Sequence, residues 1–163
     1  MRRLFRRCGV ISRHISEMYY PERYYRGLSK TKKREREKEI KHFGSMTSPA
    51  AYVGFRTDRG ITTRPSRYSR AWKKRFPGVT SLSDRAKKTG VPVRFLEESY
   101  NRGMAAWRTG HRPGATQQQW GYARVSSLLL CGKTYHTADS DIVRRAIAAS
   151  PSAKRWFSAC NRV

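Results

Sequence analysis

At 163 residues the chain suits one small domain with appendages, and 36 lysines and arginines against 11 acidic residues give it a formal net charge of +25. A field of that size repels itself and calls for a polyanionic partner, nucleic acid first, or for an acidic protein surface. No apolar run approaches the ~18 residues of a membrane-spanning helix, and the three cysteines, Cys8, Cys131 and Cys160, show no C-x-x-C, which excludes a zinc-finger spacing and offers no disulfide framework. The cysteine usage points to a reducing compartment, with Cys131 a buried small apolar residue.

In chain order, residues 1–19 form a basic arm. Arg2, Arg3, Arg6, Arg7 and Arg13 alternate with Leu4, Phe5, Ile11 and Ile15, a composition shared by organelle transit peptides and by arms that order on nucleic acid. Residues 20–79 form a basic, aromatic-rich strap. The excess charge is greatest over residues 21–76, where 17 basic and 5 acidic residues give +12. Pro21 and Gly27 interrupt a tyrosine-rich opening, so it is expected to be extended rather than a strand. Ser29 caps a charged helix running to Lys41, of which Ile40 and Phe43, with Leu28 before them, are the positions to bury. Ala51–Phe55 is read as a short strand, and Tyr68, Trp72 and Phe76 as one face of a short helix whose Arg70, Lys73, Lys74 and Arg75 stay outside.

Residues 80–150 read as a helical core domain. Ser81 with Asp84 makes a capping box for a helix over 82–89 that stops at Gly90. Val93, Leu96, Tyr100, Met104 and Trp107 recur at steps of three or four, which predicts a helix over 92–109. Thr116 and Gln119 cap the next, apolar on both sides and therefore buried. Thr137 or Asp139 opens a fourth, whose stripe is Ile142, Val143, Ala146 and Ile147; Ser150-Pro151 ends it. Residues 151–163 are a short helix or tail.

Two motifs carry functional weight. Ala86, Gly90, Val91 and Leu96 fit a helix-turn-helix that would turn Arg94, Glu98, Asn101 and Arg102 towards a major groove. Pro92 and Ser99 depart from that pattern, and an ordinary helical hairpin is the competing reading. The Gly110-His-Arg-Pro-Gly114 turn ahead of a helix N-terminus is either an anion seat using His111 and Arg112, or a structural lock in which both bond the carbonyls ending the preceding helix. No carboxylate, histidine or cysteine set has catalytic or metal-ligand spacing, so no enzyme, cofactor or metal is expected.

The runs Tyr20-Pro-Glu-Arg-Tyr-Tyr-Arg-Gly-Leu-Ser-Lys30, Tyr100-Asn-Arg-Gly-Met-Ala-Ala-Trp-Arg-Thr-Gly-His-Arg-Pro-Gly-Ala-Thr-Gln-Gln-Gln-Trp-Gly-Tyr-Ala-Arg124 and Thr137-Ala-Asp-Ser-Asp141 resemble a family of unknown function. Its members are small basic proteins of large double-stranded-DNA algal viruses, such as the chloroviruses and other giant viruses, and of cyanobacterial myophages. The resemblance spans roughly residues 20–147 and implies a viral protein, with no activity assigned to any residue. Two segments depart from it: Gly44-Ser-Met-Thr-Ser-Pro49, where relatives are lysine-rich, and the arginine-rich start.

The sequence therefore predicts a mainly α protein of about four helices, with Leu96, Tyr100, Met104, Trp107, Trp120, Leu128, Ile142 and Val143 as its core. The expected function is non-enzymatic binding of nucleic acid, DNA before RNA, through phosphate contacts from Lys32, Lys33, Arg34, Arg36, Lys73, Lys74, Arg75, Arg94, Arg102, His111 and Arg112. The alternative is a minor capsid or other virion protein bridging acidic capsid surfaces. A nuclease or recombination factor using Asp139 and Asp141 is the remote third reading. The expected location is the virion or the infected host cell.

Overall fold

Capping chemistry sets most of the helix starts. In the computed structural model, which describes residues 20–46 and 54–162, eight α-helices and no strand are found among the described residues. Ser29 accepts from Lys32 N at the start of α1 (Lys30–Gly44), and Ser66 from Ser69 N at the start of α2 (Arg67–Arg75). Ser81 and Asp84 close a capping box on α3 (Leu82–Thr89), and Gly90 ends it in the left-handed region at φ 72°. α4 (Val93–Arg108) follows a three-residue turn, and a second capping box, Thr116 with Gln119, opens α5 (Gln117–Leu129). Short α6 (Lys133–His136) leads to α7 (Ser140–Ala149) and α8 (Pro151–Ser158), where Ser150 caps and Pro151 takes the first turn.

The core is assembled around α4 and α5, which cross where Gly103 meets Gly121. A Cβ on Gly103 would lie 2.8 Å from Gly121 Cα, so neither position has room for a side chain. Leu96, Val125, Leu128, Leu129 and Ile142 are fully buried here, each contributing roughly 1.5–3 kcal/mol by leaving water. Trp72 of α2 and Ala153 and Phe157 of α8 belong to the same cluster. The packed unit thus extends beyond residues 80–150 in both directions. Of the predicted core, Tyr100, Met104 and Trp120 are only half-buried. Tyr100 covers Gly121 from the rim of the helix crossing and meets Tyr122 edge-on, while Trp120 looks outward to Tyr24.

A second, smaller cluster joins Ile40 and Phe43 of α1 to Phe55, with Tyr20, Tyr24 and Met46 against it. It touches the main body through Phe55, whose ring lies 6.1 Å from Trp107 and 4.7 Å from His111. The expected strand at 51–55 lies largely outside the described residues, as does the arginine arm of residues 1–19.

Cys131 and Cys160 form a disulfide across a separation of 29 residues, against the expectation of unpaired cysteines in a reducing compartment. The helices cause it: Cys131 leaves α5 with φ 55°, and α8 folds back so that the two Cα atoms stand 5.4 Å apart. Nothing in the local spacing announces that return.

Candidate nucleic-acid interface

The turn from Gly110 to Gly114 is held from both sides. His111 is fully buried, its ring stacked on Trp107 at 4.1 Å and 16°. Its Nδ1 lies 2.8 Å from Trp107 O, one of the carbonyls ending α4, and its Nε2 lies 2.7 Å from Asp58 Oδ2. Both ring nitrogens face acceptors, so the hydrogen bonds are complete when the ring carries both protons. Burial pushes the His111 pKa below its ordinary value, while Asp58 pulls it back upwards.

Asp58 is the hub. Its Oδ1 accepts from Gly114 N at 3.0 Å and from Arg36 Nη1 at 2.8 Å. Burial alone would raise its pKa; the hydrogen bond and charge of His111, the Gly114 N–H and the Arg36 charge outweigh that and hold the carboxyl below its ordinary range. Arg36, also fully buried, donates to Thr57 Oγ1 at 2.9 Å and to His111 O at 2.7 Å, and its guanidinium lies 4.4 Å from the Phe55 ring centroid. Asp58 therefore takes the place on the turn that an external anion would take at Gly114.

This corrects two of the expected phosphate contacts. Arg36 and His111 have no exposed surface: the α1 stripe Arg36, Ile40, Phe43 faces inward, His111 stacks on Trp107, and both meet at Asp58. Arg102 is half-buried and paired within the fold. It donates to Asp141 from both terminal nitrogens at 2.7 Å and to Glu98 at 2.8 Å, while Arg124 holds the fully buried Asp139 at 2.6 Å and Arg145 reaches Glu98 and Asp141. Hydrogen bonds from Arg102 and Arg145 outweigh burial and hold the Asp141 pKa well below the carboxylate range. Ser99, the residue out of place in a helix-turn-helix, is buried and donates to Asp139 Oδ2 at 2.7 Å. These contacts tie α4, α5 and α7 together.

The other expected cations lie open. Lys32, Lys33 and Arg34 on α1, Lys73, Lys74 and Arg75 on α2, and Arg94 on α4 are exposed. Arg112 is half-buried on the outer side of the turn that buries His111. Burial lowers its pKa first, and the charges of Arg23, Arg26 and Arg70 push it the same way. No ion pair among the described residues joins any of these four arginines to a carboxylate.

Packing explains the convergence. Tyr24 lies on Gly110 so closely that a Cβ there would collide with its ring, which brings the 21–28 strap, with Arg23 and Arg26, to the turn. α2 packs on α5 and supplies Arg70, with Arg67 and Lys74 on the same stripe. Sequence reasoning leaves Arg23 and Arg26 out and reads Arg70 only as an outward cation of its helix, because the docking of the strap on Gly110 and of α2 on α5 is what makes them neighbours of Arg112. The unbroken basic character of α2, which has five cations and no acid, is the available signal.

The family model for a family of unknown function, DUF5824, matches residues 21–145, a span containing both the locked turn and the open arginines. The chain belongs to that family. No curated protein and no solved structure matches it.

Proposed function

We propose that this protein binds nucleic acid through phosphate contacts and acts by binding rather than by catalysis. The observation that carries the reading is the group Arg23, Arg26, Arg70 and Arg112: Tyr24 seated on Gly110 brings the strap to the turn, the first three charges all act on Arg112, and no carboxylate is paired to any of the four among the described residues. Such crowding costs stability in the free protein and is relieved by a polyanion, which also releases its own counterions. Lys73, Lys74 and Arg75 extend the surface along α2, and Lys32, Lys33 and Arg34 extend it along α1. The five arginines of residues 1–19 add a basic arm in this reading.

Recognition rests on phosphates rather than on base edges. Of the α4 residues that a helix-turn-helix would present, Glu98 and Arg102 are bound to partners within the fold, which leaves Arg94 and Asn101 beside the exposed Glu97. The family resemblance to viral proteins supports a viral genome as the polyanion, DNA before RNA, and the virion or infected cell as the location. Among the described residues no helix is long and apolar enough to cross a membrane.

The test is binding of the purified protein to labelled duplex DNA, single-stranded DNA and RNA near physiological salt, beside an acidic protein of comparable charge. Retention of one or more nucleic acids with the acidic protein excluded supports the proposal. Capture of the acidic protein alone would move the protein to the class of virion structural proteins.

A further inference from the structure

Among the described residues Arg85 has no counter-ion. It is 5% exposed, and its guanidinium lies between two aromatic rings, 5.0 Å from the Trp72 centroid and 5.0 Å from the Tyr122 centroid. One terminal nitrogen, Nη1, donates to Ser126 Oγ at 2.9 Å and approaches Tyr122 O at 3.5 Å. Nε is buried without a partner, and no hydrogen bond among the described residues uses Nη2. These two nitrogens form the parallel edge with which arginine grips a carboxylate or a phosphate. The adjacent carboxylate, Asp84, is turned away into the capping box, where Ser81 Oγ donates to it at 2.6 Å. Burial pushes the Arg85 pKa down to about 10, so the group keeps its charge at neutral pH.

Arg85 lines a cavity of about 410 Å³ between α2, the loop that follows it, and α5. That volume falls in the roughly 300–1,000 Å³ range of small-molecule sites. Phe76, Val79 and Tyr122 supply flat and apolar walls, Ser69 and Thr80 supply hydroxyls, and Lys73 adds a second cation at the rim. Lys73 stands one helical turn from Arg70, so the cavity adjoins the open arginine surface.

We infer that this cavity is a nucleotide-binding site, in which Arg85 and Lys73 hold a phosphate monoester and the rings of Phe76 and Tyr122 take the attached base. An oxyanion alone would need only the cations. Aromatic walls beside a buried arginine fit a phosphate carried on a flat ring, and stacking on such walls tolerates any base. The inference deepens the nucleic-acid reading by adding a site for a single nucleotide, with two sources for it: a free mononucleotide or the phosphorylated end of a strand.

Calorimetry and thermal shift with AMP as the probe test it on the full chain. Wild type should bind one AMP and gain melting temperature. Arg85→Met should weaken binding at least tenfold yet melt no lower than wild type without ligand, because it replaces a buried charge that has no counter-ion. Lys73→Ala, at an exposed position, should weaken binding several-fold with no change in folding. A single-stranded oligonucleotide with and without a 5′-phosphate names the source: preference for the phosphorylated strand over AMP assigns the strand end, and equal binding of the two strands assigns the free nucleotide. Absence of AMP binding together with indifference to the 5′-phosphate overturns the inference. So does Arg85→Met binding like wild type, or inorganic phosphate binding as tightly as AMP, since the aromatic walls would then add nothing. Because AMP does not span the Arg112 surface, failure here leaves strand binding standing, and failure of strand binding leaves the AMP result readable.

Discussion

His111 and Arg112 are neighbours in the chain and belong to opposite kinds of site. On the inner side of their turn, Arg36 and His111 converge on Asp58, every charge facing a partner within hydrogen-bond distance. On the outer side, Arg23, Arg26, Arg70 and Arg112 converge on no carboxylate among the described residues. Both regions are basic and both gather residues distant in sequence. A single acid separates them: where a carboxylate is built in, the arginine holds the fold, and where none is, no acid among the described residues offsets the field.

The largest effect expected is on the inner side. Asp58→Asn removes the carboxylate that Arg36 and His111 share beneath the turn and should cost about 3–5 kcal/mol in urea denaturation, the usual range for breaking a buried pair from one side. A loss below about 1 kcal/mol, the range of an exposed pair, would remove the distinction between the two regions. Reduction of the Cys131–Cys160 disulfide touches neither region. For a 29-residue separation it should cost about 3–4 kcal/mol, read from melting with and without reductant, and should leave nucleic-acid affinity unchanged in protein that remains folded.

The acid limb of the stability profile sharpens the comparison further. Because the Asp58 pKa is depressed in the fold, its contribution is complete above the ordinary carboxylate value of about 3.9 and is lost as pH falls through the depressed one. Stability of wild type should therefore fall below about pH 4, and Asp58→Asn should flatten that limb in thermal melts. The smallest effect belongs to the outer side. Arg26→Gln removes one of four like charges, so its melting temperature at low salt should equal or exceed that of wild type, and the difference should close as salt screens the field. A clear loss of stability at low salt would show that Arg26 serves the fold.

Much of the helical framework was legible in the sequence because its signals are local. The capping boxes at Ser81 and Thr116, the glycine stop at Gly90 and the three-to-four spacing of Leu96 and Trp107 each act within one or two turns. The two alternatives for the Gly110–Gly114 turn were also legible, but not that its two residues would part: His111 locks the end of α4, and Arg112 stays open. That division depends on Asp58, 53 residues before His111, whose role no spacing reveals. Arg36 reads as surface because it sits in a run of charges; its place on the Ile40–Phe43 stripe marks it as inward-facing. Arg85 gives no sign of burial, since only the crossing of α2 and α5 encloses it between Trp72 and Tyr122.

The salt dependence of duplex binding tests the central distinction most directly, with wild type measured beside an Arg23→Ala/Arg70→Ala/Arg112→Ala triple variant and beside Arg102→Ala. If unpartnered arginines neutralise the phosphates, the triple variant should flatten the slope of log affinity against log salt by about 2.7, near 0.9 for each phosphate left without its arginine. Arg102→Ala, whose arginine is already spent on Glu98 and Asp141, should keep the wild-type slope. Equal slopes for wild type and the triple variant, or a flattened slope in Arg102→Ala, would contradict the account.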